Sequence, residues 1–181
     1  MYVFLLNQLV STRKKIKGQI ANGLTLINLG LGITAIMFIL QGSIWYGFLF
    51  IALAALFDRF DGMVARRLKI ESELGKQLDS LSDLVSFGVA PALLVQQATL
   101  MPLSFVGGLA VVLFILCGAL RLARFNITDS PNEFIGLPIT GAGCILAFST
   151  LFNDQLPETF FVIFMICLSG LMISNIRVKK V

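Results

Sequence analysis

Between residues 58 and 83 four aspartates are set at helical spacing. The chain reads Asp58-Arg59-Phe60-Asp61-Gly62-Met63-Val64-Ala65-Arg66 and, after a short connection, Gly75-Lys76-Gln77-Leu78-Asp79-Ser80-Leu81-Ser82-Asp83. Asp58 and Asp61 are three residues apart, Asp79 and Asp83 four. On helices each pair shares a face. Two such helices laid antiparallel bring all four carboxylates towards one point, where in a low dielectric they repel unless positive charge sits among them. Arg59 or Arg66 can neutralise one or two as a salt-bridge network, and divalent cations do so more fully. Oxygen-only ligands favour magnesium or manganese over zinc. Two ions suit an in-line displacement at phosphorus, because paired metals clamp the attacking and leaving oxygens. Gly62, Ala65 and Gly75 leave backbone open to a flat base or a phosphate. Singly, such residues also serve helix packing.

The chain contains no histidine. That removes an imidazole base, a Ser-His-Asp triad and a His-ligated zinc or haem. Carboxylates are the remaining candidates for proton transfer alongside Lys, Tyr and Cys. Cys117, Cys144 and Cys167 fall in apolar stretches at no metal-ligand spacing and read as packing residues, with no disulfide expected.

The elements that must position these residues are apolar. Of 181 residues 57% are hydrophobic and 13% charged, and the mean hydropathy is +0.90, outside the range of soluble domains. Six apolar blocks can be drawn, at about 23–40, 43–66, 77–97, 103–124, 137–153 and 157–175, each near the roughly 20 residues a spanning helix needs. The expected fold is an all-α integral membrane protein of six transmembrane helices, with a short N-terminal amphipathic helix at the membrane surface. Residues 1–20 form that juxtamembrane segment and 21–181 the six-span domain. The N-terminal segment places its apolar start, Met1 to Leu6, before Arg13, Lys14, Lys15 and Lys17, the reverse of a secretory signal. Pro102, Pro138 and Pro157 stand near block starts, whereas Pro91 lies inside the third block and predicts a kink.

All 14 Lys and Arg fall at the termini and the even-numbered connections. By the positive-inside tendency, both termini and the acid cluster face the cytoplasm in a multi-pass cytoplasmic-membrane protein. Ionisable groups within spans are costly and mark function. A small cation transporter is the alternative of a different class; it would place acids near the midplane and often show inverted repeats, and this chain shows neither.

Written as DxxDGxxAR, eight residues, then GxxxDxxxD, the stretch resembles the signature of the CDP-alcohol phosphotransferase family at Asp58, Asp61, Gly62, Ala65, Arg66, Gly75, Asp79 and Asp83. The resemblance implies a six-span membrane enzyme, usually a homodimer, that displaces CMP from a CDP-linked lipid or alcohol. It also implies that Asp58, Asp61 and Asp79 ligate the metals, that Asp83 is the general base within the metal shell, and that Gly62, Ala65, Arg66 and Gly75 surround the cytidine diphosphate. Asn28 resembles a polar residue placed near the diphosphate; a hydrogen bond between helices is its other reading.

The runs Ser82 to Pro91, Cys117 to Asn126 and Phe134 to Pro138 resemble the serine-using members of that family. The implied reaction moves a phosphatidyl group from CDP-diacylglycerol to the hydroxyl of L-serine, with membrane lipids and no nucleic acid as further partners. Serine's carboxylate calls for a fork of donors, and Arg121 and Arg124, three apart at the end of the fourth block, are the candidates. Asn126 is a further acceptor-binding candidate. Positive-inside anchoring is the other reading of the two arginines. Glycerol 3-phosphate or inositol phosphate as acceptor, and an archaeal ether-lipid donor, remain open within the same chemistry.

Overall fold

The computed structural model describes residues 2–68, 73–100, 104–127, 133–174 and 177–179, and the side-chain surroundings of all of these except 2–18, 20, 21, 61, 64–68, 100, 104, 133–135 and 177–179. Seven α-helices are described: α1 (Tyr2–Leu40), α2 (Ile44–Leu68), α3 (Glu73–Asp83), α4 (Ala90–Val95), α5 (Ser104–Ile127), α6 (Ile139–Ser149) and α7 (Glu158–Ile173). The π-helical segment Leu84–Val89 joins α3 to α4, and a second, Gln96–Leu100, extends α4. The architecture is helical except for one antiparallel pair of three-residue strands, β1 (Glu133–Ile135) and β2 (Arg177–Lys179), in register Phe134 with Val178.

Among the described residues three helical stretches are long and apolar enough to cross a bilayer, Asn22–Leu40, Glu73–Thr99 and Phe105–Ile127. The stretches Ile139–Phe152 and Glu158–Ile173 are apolar but shorter. In α2 the apolar run from Ile44 stops at Phe57, because Asp58, Arg59 and Asp61 follow on the same helix. Helix α1 is continuous from Tyr2, so the expected N-terminal helix joins the first apolar block without a break. The side chains that would make it amphipathic lie outside the described residues.

Pro138 and Pro157 occupy the N-cap positions of α6 and α7 in extended conformation, where no helical N–H is forfeited. At Pro91 the expected kink takes a specific form. The preceding turn widens into a π-helix, with the Ala90 N–H reaching back to the Val85 carbonyl, and Pro91 enters in the first turn of α4.

This π-helical segment is the centre of the packing. Helices α1, α5 and α6 all contact it, and Phe87 is fully buried in a cluster with Phe114, Ile139, Leu146, Phe161 and Met165. Two glycines allow the approach. A Cβ on Gly143 of α6 would run into the Phe87 carbonyl oxygen and lie 2.8 Å from its Cα, and one on Gly32 of α1 would lie 2.9 Å from the Ser86 Cα. Polar ties fix the register of α1 on the same stretch: Ser82 Oγ donates to the Thr25 carbonyl (3.2 Å) and Ser86 Oγ to the Asn28 carbonyl (3.1 Å). Small residues and hydroxyls of this kind replace the hydrophobic drive that helices lack inside lipid. The periphery is apolar, with Phe105 82% and Leu40 69% exposed, a surface suited to acyl chains rather than water.

Candidate active site

Asp79 and Asp83, one turn apart on α3, present their carboxylates on one face. Asp58 meets them from the second half of α2. Ligand oxygens of Asp58, Asp79 and Asp83 all lie within 4.8 Å of one another, and the Asp58 and Asp83 carboxylates meet at hydrogen-bonding range. Two carboxylates so close share either a proton or a cation. The three oxygens, all hard donors, fit a divalent ion. Asp61 lies one turn beyond Asp58 on α2, and its side chain, like those of Ala65 and Arg66, is outside the described residues. Arg59, one proposed neutraliser, is exposed. Gly62 lies on α2 one turn past Asp58 and Gly75 on α3 one turn before Asp79.

Two further helices close around the acids. Arg121, near the end of α5, is half-buried and within electrostatic reach of Asp83. Arg124 goes elsewhere: it is exposed, and its Nη1 donates to the Ile173 carbonyl at the C-terminus of α7 (3.4 Å). A cation is well placed there, against carbonyls without helical partners. The sequence treats the two arginines as a pair; the structure shows Arg124 bonded to the end of α7 and Arg121 within electrostatic reach of Asp83. Cys144 of α6, read from sequence as a packing residue, packs on the core and also lies within electrostatic reach of Asp58 and Asp83. Nothing in its local sequence signals that proximity, which depends on how α6 seats against the π-helical segment.

Asn28 is fully buried on α1, and neither Oδ1 nor Nδ2 has a hydrogen-bond partner among the described residues. Its backbone carbonyl is satisfied by Ser86. Leaving an amide in that state costs roughly 1–3 kcal/mol. Among the described residues the Asn28 side chain makes no hydrogen bond to a neighbouring helix.

Asn126, in the last turn of α5, is engaged by α3. Its Nδ2 donates to Ser80 Oγ (3.0 Å) and Gln77 Oε1 (3.4 Å), and Lys76 Nζ donates to its carbonyl (3.0 Å). Sequence reasoning passed over Ser80 and Lys76, although both stand inside the aspartate stretch.

Residues 18–174 match the family model described as CDP-alcohol phosphatidyltransferase. The chain belongs to this family. A CDP-alcohol phosphatidyltransferase with these helices is a multi-pass membrane protein. It is 41% identical over 156 residues to a CDP-diacylglycerol–serine O-phosphatidyltransferase of Bacillus subtilis, covering 85% of this chain and 86% of that one. It is 42% identical over 165 residues to a protein of the same name from Methanocaldococcus jannaschii, covering 89% and 74%. An archaetidylserine synthase of Methanothermobacter thermautotrophicus is 40% identical over 164 residues, covering 87% and 68%.

Proposed function

We propose that this CDP-alcohol phosphatidyltransferase moves the phosphatidyl group of CDP-diacylglycerol to the hydroxyl of L-serine, giving phosphatidylserine and CMP. The observation that carries the reading is the naming of these relatives. Those from Bacillus subtilis and Methanocaldococcus jannaschii are named for serine as acceptor and the one from Methanothermobacter thermautotrophicus for its serine-bearing product, at 40–42% identity across most of this chain. The names differ in the lipid, so an ether-linked donor stays a second reading.

Asp58, Asp61 and Asp79 are assigned to two divalent ions, magnesium or manganese, with Asp83 also in their shell. When bound, such ions supply charge neutralisation on the diphosphate oxygens and stabilise the leaving group. The donor lipid lies with its tails in the bilayer, and its cytidine diphosphate is surrounded by Asn28, Gly62, Ala65, Arg66 and Gly75, with Asp58 and Asp79 beside it. The Asn28 amide, buried with no hydrogen-bond partner among the described residues, supports that placement. Asp83 accepts the serine hydroxyl proton as the oxygen attacks the lipid-linked phosphorus; the new O–P bond forms while the bond to CMP breaks. A carboxylate is far less basic than an alkoxide, so proton transfer accompanies attack rather than preceding it. Arg121 offers serine's carboxylate a charged fork within reach of that base. Arg124, engaged at the end of α7, is the lesser candidate.

The same reading has six spans, formed by α1, α2, the run from α3 through α4, α5, α6 and α7, in the cytoplasmic membrane as a homodimer. The basic helix ends lie together: Lys76 reaches Asn126, and Arg124 reaches Ile173. This supports a common cytoplasmic side for the site and both termini.

The test is an acceptor comparison. Purified protein is given CDP-diacylglycerol, magnesium or manganese, and serine, glycerol 3-phosphate or inositol phosphate in turn. CMP release with serine alone is expected; release only with another acceptor sinks the serine reading, and no metal-dependent CMP release with any acceptor sinks the enzyme reading in favour of transport.

A further inference from the structure

The aspartates and Arg121 ride on different helices, α3 and α5. Transfer requires the two sets at a constant separation, because the serine oxygen must meet phosphorus while its carboxylate stays bound. The side chains joining these helices near the site centre on Asn126, five residues beyond Arg121, and on Ser80, flanked by Asp79 and Asp83. Both amide hydrogens of Asn126 have acceptors on α3, Ser80 Oγ at 3.0 Å and Gln77 Oε1 at 3.4 Å. Ser80 Oγ in turn donates to the Lys76 carbonyl (3.1 Å), with Asn126 Oδ1 a second acceptor at 3.3 Å. Lys76 Nζ completes the ring on the Asn126 carbonyl (3.0 Å), one of the last carbonyls of α5, which have no helical partner. An amide nitrogen carries only two protons. With both committed to α3, the Asn126 nitrogen has no donor left for an acceptor's carboxylate.

We propose that Asn126 is a positioning residue, clamped by Ser80, Gln77 and Lys76, that holds Arg121 at its working distance from Asp83 without touching serine. This rests on the assignment of Arg121 to the acceptor carboxylate. The clamp reassigns Asn126 from the acceptor pocket to the joint between the arginine helix and the aspartate helix, and adds Ser80 and Lys76 to the residues on which the reaction depends.

The experiment is a double-mutant cycle on purified, metal-loaded protein in detergent or vesicles containing CDP-diacylglycerol. Ser80→Ala, Asn126→Ala, the double variant and Ser80→Thr are compared for kcat, KM of each substrate and melting temperature. Each alanine variant should lose on the order of tenfold in kcat/KM for serine while the CDP-diacylglycerol KM stays within about twofold. The double variant should be no worse than the poorer single, and Ser80→Thr, which keeps the hydroxyl, should stay near wild type. A rise in serine KM for Asn126→Ala with Ser80→Ala unaffected means direct contact and overturns the clamp. Additive losses, no losses, or equal losses for both substrates in step with melting temperature overturn it as well. The acceptor is established on wild type first, and Arg121→Ala is run alongside. If another acceptor drives CMP release, or Arg121→Ala leaves the acceptor KM unchanged, the functional reading fails, and the Ser80–Asn126 coupling is still read with the acceptor that works.

Discussion

Asp58 on α2 and Asp83 on α3 meet with carboxylate oxygens within 4.8 Å of each other, and Asp79 offers a third oxygen in the same range. The two stand on consecutive helices, and their meeting within an apolar helical protein demands a counter-charge. In the proposed mechanism the pair joins a metal ligand to the general base, so its two members should respond differently to substitution.

Asp83→Asn keeps the shape and loses the base. Turnover should fall by at least ~100-fold, the range associated with removing a general base, while much of the CDP-diacylglycerol binding is spared. Titrating purified variant with the lipid and following CMP release measures both; full activity would remove Asp83 from the proton transfer.

Asp58→Asn removes one carboxylate oxygen from the acidic triad. Half-maximal activity should then need on the order of tenfold more magnesium or manganese, in line with the loss of a charged ligand. Chelation should silence the wild type, with either ion restoring it and zinc failing to. Activity that survives exhaustive chelation argues against metal at this site.

Asn28→Leu separates ligand binding from folding. The Asn28 side chain has no hydrogen-bond partner among the described residues, so an apolar residue of similar size should leave the melting temperature unchanged or raise it. The CDP-diacylglycerol KM should rise nonetheless. A lowered melting temperature with an unaltered KM would return Asn28 to a packing role.

Gly143→Ala tests the seat of α6 on the π-helical segment. Its methyl group would enter the space of the Phe87 carbonyl, and backbone cannot rotate away as a side chain can. A loss of roughly 1–3 kcal/mol, the usual penalty of overpacking, is expected, read as a lower melting temperature. Gly170→Ala is the control, since no described residue lies within 4 Å of the Cβ it would add.

The reaction class and the core of its site were legible in the sequence, because that information is local. Residues three or four apart share a helix face whatever the rest of the chain does, so Asp79 and Asp83 could be paired on paper. A short connection between two apolar blocks makes them neighbours, which brought Asp58 to the same point. The placing of Pro138 and Pro157 at helix starts was local in the same way.

What tertiary structure decided lies further apart along the chain. Arg121 and Arg124 look equivalent by spacing, and only the seating of α7 against α5 draws Arg124 to the Ile173 carbonyl. Asn126 is an acceptor-binding candidate on paper, and only the tertiary structure bonds its amide to Ser80 of α3, 46 residues away. Asn28 could be a bond between helices or a ligand contact on paper; in the structure Ser86, 58 residues on, donates to its backbone carbonyl, and its side chain has no hydrogen-bond partner among the described residues. Even the kink expected at Pro91 became a π-helical turn seated against Gly32 and Gly143. In lipid, where apolar surface alone does not choose neighbours, close backbone approach and hydrogen bonds select the partners. Both are properties of helix pairs and have no period in the sequence of either helix.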